Sequence, residues 1–578
     1  MIRSVRGFTI RIPSYLKNSL RCTHYHTKLS YRHNPGKEPL RSLTVGNLIQ
    51  LTAERYPERM ALISKHQNDR LTYQELLEKA DEFAAGLQSL GLNRGDRIGV
   101  WASNITEWII SMFAILRGGY IIVPMHINFQ TPEIEYCINK VRVKALICQH
   151  KTKDCNLYDL LKTLAPELER SDPGKLNCDK IPSLSTIITI GEEKLKGTYN
   201  FKEIPEKATP NLVKSIKENQ HLVQPDHPYN IQFTSGTTGK PKAAMISHFQ
   251  VVNNSYSIGK RCELDTKYHS VCVQSPLFHG FGTSVTTCSA INFGSTLVLP
   301  SSTYSPLENL KAISEERCTV IHGTPTMYVD LVNIQKQLNL KLNAEIALSG
   351  GAVCSPHLFK QMKETLKLKR VKSGYGLTEA TAVIFQSLPI DEDEYKATST
   401  VGYIGDHLEV KVVDDDNNIV PIGTPGELCL RGYSVMLGYW EEEEKTKEVL
   451  GADRWMKTGD QFVLQEDGYG RIVGRLKDLI IRGGTNIYPK EIEDFLNTHP
   501  EILEAHVIGL KHERLGEEVC ACVRLKEGAQ LTHESLIEFC TGNIAKYKIP
   551  SKLEIMDTLP KTLSGKIQKY LLRQQFEK

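Results

Sequence analysis

Long apolar runs are missing from this 578-residue chain. A helix that crosses a bilayer needs about 20 predominantly apolar residues in succession. The nearest approach, residues 98–125, is broken by Asn104, Glu107 and Arg117, so no integral membrane span is expected. Acidic residues are missing from the start of the chain. None precedes Glu38, whereas Arg3, Arg6, Arg11, Lys17, Arg21, Lys28, Arg32 and Lys37 all do. Metal-site spacing is missing too. The 14 cysteines are scattered, and the tightest pair, Cys520 and Cys522, lies in a strand-like alternating segment with no second Cys/His pair at zinc spacing nearby. That excludes a zinc module and leaves core cysteines in a reducing compartment. No internal repeat or low-complexity tract occurs, so repeat arrays are excluded as well.

What is present is an uneven charge. The formal net charge is +4, from 71 basic and 67 acidic residues. Setting aside the eight basic residues before Glu38 leaves 63 against 67, a net of −4. A nucleic-acid partner would want a clustered basic face, which this body lacks. The leader itself is rich in Arg, Ser and Thr and free of acids, the composition of a mitochondrial transit peptide. If residues 1–12 are helical, Ile2, Val5, Phe8 and Ile10 share an apolar side, and Pro13 ends the helix. Arg3, Arg6 and Arg11 interrupt the apolar core that a secretory signal would need. Residues 1–37 are therefore expected to be a transit peptide directing the protein to the mitochondrial matrix, with the cleavage site left open. The terminal Phe576-Glu577-Lys578 is not a peroxisomal signal.

At roughly 100–200 residues per domain, several cores are expected. After the leader, strands and helices alternate. Residues 72–90 carry Leu76, Leu77, Ala80, Phe83, Ala84 and Leu87 at helical spacing. A strand over 97–101, a helix over 107–117, a strand over 120–124, a helix over 131–140 and a strand over 145–148 follow. Such alternation implies parallel sheets with helices on their faces. It resumes at 229–233, 270–274, 296–299, 320–322 and 345–349. From about Gly402 short strands with turns such as Asp467-Gly468 suggest an antiparallel unit. The last 100 residues read as a compact α+β unit. The expected fold is α/β: a large body of parallel-sheet subdomains plus a small antiparallel β subdomain over 38–475, and a small α+β lid over 476–578.

The densest chemistry lies just after the strand at 229–233. Thr234, Ser235, Gly236, Thr237, Thr238, Gly239, Lys240, Pro241 and Lys242 combine two glycines, four hydroxyls and two lysines. Glycine lets backbone N–H groups approach phosphate oxygens, the hydroxyls add donors, and Lys242 adds charge. A Walker A loop needs four residues between its first Gly and the Gly-Lys pair. Here two separate Gly236 from Gly239, so a P-loop kinase or ATPase is excluded.

This loop resembles the phosphate-binding signature of the adenylate-forming superfamily: acyl-CoA synthetases, luciferases and peptide-synthetase adenylation domains. Ser373-Gly-Tyr-Gly-Leu-Thr-Glu379, Thr458-Gly-Asp460, Gly474-Arg-Leu-Lys-Asp478 and Ser564-Gly-Lys566 resemble, in order, further motifs of that superfamily. The resemblance covers nearly the whole chain after the leader. It implies that Tyr375 and the segment Gly350, Gly351 and Ala352 flank adenine, that Thr378 meets the α-phosphate, and that Glu379 binds Mg2+. It implies that Asp460 takes the ribose hydroxyls, that Arg475 donates to ribose or phosphate, and that Lys477 is the hinge. Lys566 is implied as the adenylation lysine, whose ammonium offsets repulsion between an incoming carboxylate and the α-phosphate. No general base is needed, because the carboxylate is already ionised near neutral pH. The loop over 482–489 would approach a thioester site, with Gly483 and Gly484 leaving room for a pantetheine arm.

Pro276-Leu-Phe-His279-Gly-Phe-Gly282 matches a motif near the acyl site, so His279 and Phe281 are candidate pocket walls. No charged pocket suited to an amino acid is visible, and a hydrophobic acid is preferred. The runs 229–239, 323–327, 432–440 and 559–569 look most like the medium-chain acyl-CoA synthetases of mitochondria. Ala243 departs from the glycine usual in the family. The expected activity is ATP-dependent ligation of a fatty acid to coenzyme A through an acyl-adenylate, with ATP, Mg2+ and CoA as cofactor and cosubstrates. The residues do not fix the oligomeric state. A luciferase-like oxygenase shares every motif, and a non-enzymatic nucleotide sensor would keep most of them. A peptide-synthetase module is not expected, because about a dozen residues after Lys566 hold no carrier domain.

Overall fold

The computed structural model describes residues 28–577, except 154, 235–240, 352–353, 391–393, 483–484 and 563–566. Two large sheets organise the body. In one, Gly438–Tyr439, Lys242–Ser247, Pro228–Thr234, Ile121–Pro124, Arg97–Trp101, Val143–Gln149, Thr186–Ile190 and Tyr199–Asn200 lie side by side in that order. The strands from Pro228–Thr234 to Tyr199–Asn200 are parallel, and the first two run antiparallel to their neighbours. In the other, the order is Tyr403–Ile404, Phe385–Gln386, Arg370–Tyr375, Ile346–Gly350, Val320–Gly323, Ser270–Val273, Thr296–Leu299, Met60–Ser64 and Asp69–Thr72. Its centre is parallel and its edges antiparallel.

Strand alternation decides what packs between these sheets. On Val143–Gln149, Ala145 and Ile147 join the largest core, while Leu146 and Cys148 join a second one on the opposite face. The largest core also takes Leu62, Val271, Leu297 and Leu348 from the other sheet, together with the helices Val45–Arg55, Tyr73–Ser89, Thr106–Arg117 and His248–Arg261. One helical layer is thus shared by two sheets, and each sheet carries further helices outside. The helices start where short polar side chains cap them. Thr72 and Glu75 form a reciprocal capping box at one, and Ser247 and Gln250 at another. Within the shared layer Arg117 is fully buried and paired with Asp81 at 2.6 Å, with Gln50 at 2.7 Å completing its donors. Burial raises the Asp81 carboxyl above its usual range, opposed by the Arg117 guanidinium.

The antiparallel unit runs Tyr31–Asn34, Leu408–Val413, Gly426–Gly432, Met456–Leu464 and Gly470–Arg475. A new sheet begins directly afterwards with Ile480–Arg482, Thr485–Ile487, Ile502–His512, Gly516–Leu525 and Lys552–Ile555. One face of it packs on the helices Pro489–Leu496 and His533–Cys540. The other face presents Cys520 and Cys522 beside Leu572 of the helix Lys569–Phe576. The two cysteines share one buried face, as their spacing implies. Among the described residues no helix is long and apolar enough to cross a membrane.

Part of the span expected for the leader belongs to a sheet. Tyr31–Asn34 pairs antiparallel with Leu408–Lys411, from Tyr31 against Lys411 to Asn34 against Leu408. Ser30 N–H donates to the Val420 carbonyl at 2.8 Å, and Ile422 N–H to the Lys28 carbonyl at 2.8 Å. This strand lies at the edge of its sheet, where basic side chains are common. Deleting residues 1–27 is expected to leave the thermal midpoint unchanged. Deleting residues 1–34 is expected to destabilise the body by about 2–4 kcal/mol, at roughly 1 kcal/mol per hydrogen bond lost. A calorimetric comparison of the two truncations with the full chain checks this.

Candidate active site

The hydroxyl- and glycine-rich loop joins two strands of a hairpin. Thr234 is the last residue of one and Lys242 the first of the next, and they face each other in register. Ser235, Gly236, Thr237, Thr238, Gly239 and Lys240 lie outside the described residues, as do Ala352 and Lys566. The ends of the loop are well held. Tyr136 donates its hydroxyl to the Pro241 carbonyl at 2.9 Å, and Ala243, buried, accepts from Trp440 N–H at 2.8 Å. The departure at Ala243 therefore sits inside a strand and leaves the hairpin intact.

Glu379 reaches this hairpin from the other sheet. It lies in a single turn of 3-10 helix, Thr378–Ala380, three residues beyond the strand Arg370–Tyr375. Its Oε1 accepts from Tyr439 Oη at 2.9 Å and faces Thr234 Oγ1 at 3.5 Å. Its backbone carbonyl takes Met436 N–H at 2.8 Å, and Thr381 Oγ1 donates to the Ser434 carbonyl at 2.6 Å. The Lys242 ammonium stands 4.9 Å from the Tyr439 ring centre, a cation–π distance. Burial raises the Tyr439 phenol well above its usual range, and the Glu379 carboxylate adds to this. Tyr439 stays protonated and can only donate to Glu379. The turn is strained, since Thr381 and Ala382 both have positive φ, 58° and 94°. Such outliers persist where the surroundings over-determine them, and they cluster at functional sites.

Asp460 and Arg475 are cross-strand partners on Met456–Leu464 and Gly470–Arg475. The Asp460 carboxylate is 3% exposed. Arg475 Nε meets its Oδ1 at 2.9 Å, and Tyr375 Oη donates to its Oδ2 at 2.7 Å. A carboxylate has about four acceptor positions, so both oxygens can take further donors. Burial, then the nearby Asp460 charge, raises the Tyr375 phenol well above its usual range. The Tyr375 ring packs near Phe385 and Phe462, with centres 6.4 and 6.0 Å away. Gly376, beside Tyr375, has no room for a side chain: a Cβ there would sit 1.8 Å from the Ala382 carbonyl oxygen. The strained turn itself demands glycine.

A cavity opens near these groups, with about 660 Å³ of empty space counting the open solvent at its mouth. His279, Phe281, Gly350, Gly351 and Thr378 line it, bringing together residues from three separate motifs. Ile246, Val285, Leu348, Leu377 and Val383 supply apolar wall, and no lining side chain is charged. His279 Nδ1 accepts the Phe281 N–H at 3.1 Å, which makes Nε2 the protonated nitrogen of the neutral ring. Phe281–Cys288 is π-helical, a form frequent at functional sites. Lys477, exposed, occupies the short 3-10 turn Leu476–Asp478 between the last body strand and the first strand of the C-terminal sheet. Among the described residues no group of three His, Cys, Asp or Glu side chains converges on a metal position.

Three contributors escaped sequence reasoning. Tyr439 and Met436 lie in the run over 432–440, which had been read only for its resemblance. Tyr136 is in a helix 105 residues before Pro241. None has a local signature, because each acts by reaching across to another segment.

Residues 49–440 match the family described as AMP-binding enzyme, and residues 491–566 match its C-terminal domain. The chain is 42% identical over 552 residues to the protein of Danio rerio named medium-chain acyl-CoA ligase ACSF2, mitochondrial, covering 95% of this chain and 91% of that protein. It is 36% identical over 534 residues to the putative acyl-CoA synthetase YngI of Bacillus subtilis (strain 168), covering 92% and 97%. The fold is similar to the crystal structure of the anthranilate CoA ligase AuaEII in complex with anthranoyl-AMP, with a TM-score of 0.81, 24% identity and coverage of 93% and 98%. With the match spanning the loop, the Glu379 turn and the cavity, this chain belongs to the AMP-binding enzyme family.

Proposed function

We propose that the protein is an ATP-dependent acid–thiol ligase, which converts a medium-chain fatty acid to its acyl-CoA through an acyl-adenylate and releases AMP and pyrophosphate. One observation carries this reading: an uncharged, largely apolar cavity is lined by Gln232, on the strand that ends at Thr234, and by Thr378, the neighbour of Glu379. An apolar acyl chain and a polyphosphate are thereby held end to end.

In the first step a carboxylate oxygen of the acid attacks the α-phosphorus, and the bond from that phosphorus to the bridging oxygen breaks as pyrophosphate leaves. Thr378, at the cavity mouth, donates to the α-phosphate. Asp460 accepts from the ribose hydroxyls while Arg475 and Tyr375 fix its orientation. The 234–242 loop cradles the phosphates, and Lys566 brings positive charge between two repelling anions. Glu379 and Thr234 offer hard oxygen ligands, which suit a Mg2+ bound partly through phosphate oxygens. That ion would neutralise phosphate charge, and Tyr439 keeps Glu379 aimed at it. In the second step the CoA sulfur attacks the acyl carbon, the thiol proton is lost, and AMP departs. Residues 476–578 act as a lid that turns about Lys477 between the two steps, exchanging Lys566 for the 482–489 loop. Residues before Lys28 direct the chain to mitochondria, in keeping with the mitochondrial relatives.

Pyrophosphate release and thioester formation across straight-chain acids from acetate to stearate test the proposal. The expected profile peaks at medium length and requires CoA for thioester; activity that is flat across lengths and indifferent to CoA would sink it. Lys566→Ala is expected to lose adenylation by about 100-fold or more, yet to form thioester from supplied acyl-adenylate. Equal loss of both half-reactions contradicts the lid exchange. Tyr439→Phe frees Glu379 from its donor, and roughly a tenfold drop in kcat is expected, with a raised Mg2+ requirement, as outer-sphere partners of metal ligands usually show. A magnesium titration at saturating ATP reads this out.

A further inference from the structure

The cavity that takes the acid carries no charged side chain; besides His279, Thr378 and Thr381, its polar side chains cluster on one strand and the helix facing it. Tyr229, Asn230 and Ser284 lie there, with Gln232 beside them. The orientation of each amide follows from its neighbours. The Phe278 carbonyl accepts from Gln232 Nε2 at 2.8 Å, so Gln232 Oε1 points the other way, 3.5 Å from Asn230 Nδ2. Asn230 Nδ2 also faces the Tyr229 hydroxyl at 3.4 Å, and that hydroxyl is 3.0 Å from Ser284 Oγ. The remaining atom, Asn230 Oδ1, has no partner among the described residues, although the side chain is only 2% exposed. A buried acceptor without a donor is costly, and native proteins rarely leave one.

We propose that Asn230 Oδ1 is a specificity element that accepts a hydrogen bond from a neutral hydroxyl on the acyl chain. The preferred acid on this view is a medium-chain acid hydroxylated near its far end. The inference rests on the ligase reading above. Position follows from the strand. Thr234 stands at Glu379, on the phosphate side, and Asn230 is four residues back along the same extended segment. At about 3.3 Å per residue that places the polar wall roughly 13 Å from the phosphate end, within reach of a medium-length chain. The donor is neutral because no lining side chain carries a charge to balance an ammonium. A plain alkyl chain would leave Oδ1 unpaired, whereas a hydroxyl satisfies it.

The test compares octanoic and decanoic acids with their ω-hydroxy and ω-methoxy counterparts, using CoA-dependent pyrophosphate release by the full chain. The ratio of kcat/KM, ω-hydroxy over plain, is expected to be about 5–10 at one or both lengths, the size of one hydrogen bond. The methoxy acids cannot donate and are expected to show no such advantage. In Asn230→Leu, similar in shape but without the acceptor, the ratio is expected to fall about tenfold or more. A wild-type ratio of one or less at both lengths overturns the inference, as does a methoxy acid equal to the hydroxy acid. So does an unchanged ratio in folded Asn230→Leu. If no acid gives CoA-dependent release, the ligase reading itself fails, and that outcome is distinct from every one of these.

Discussion

The site depends on how two parallel sheets are locked together at their carboxyl ends. Glu379 belongs to one sheet and Tyr439 and Thr234 to the other, and a single carboxylate oxygen ties them. Two backbone-directed bonds reinforce the tie, Met436 to Glu379 and Thr381 to Ser434. The strain at Thr381 and Ala382 is tolerated because these bonds leave the turn little choice. Ligands in open α/β sheets bind beyond the carboxyl ends of the strands. Here two such ends are brought together, with the cavity near them.

Burial sets the chemistry available there. Asp460 is nearly inaccessible but carries two charge-assisted or polar partners, which offset the cost of burying its charge. Tyr375 and Tyr439 are held as phenols, so each serves only as a donor to its carboxylate. The acyl cavity, in contrast, has no ionised wall. A charged group therefore has a place at the mouth and none further in.

Local pattern carried much of the architecture. The alternation of strands and helices, the Thr72–Glu75 capping box and the apolar faces of 73–89 are short-range features, and sequence spacing reveals them. The sharing of one face by Cys520 and Cys522 follows from strand alternation alone. The leader is the opposite case. Its composition has no sharp end, and only the pairing of Tyr31–Asn34 with Leu408–Lys411, nearly 400 residues away, shows that the fold has already begun. Gly376 makes a similar point, because the atom that forbids a side chain there belongs to Ala382, across the turn.

By itself the sequence determined the class of fold, the family, and the candidate polar and charged groups of the site, because those groups recur in fixed local motifs. Tertiary structure alone decided which of them touch. It placed Tyr439 on Glu379, Tyr375 on Asp460, and Tyr136 on the Pro241 carbonyl, all through segments separated by 60 residues or more. It also decided that one amide oxygen in an apolar cavity has no partner. Whether a polar atom is satisfied depends on every neighbour within hydrogen-bond reach, and the chain brings those neighbours together only on folding.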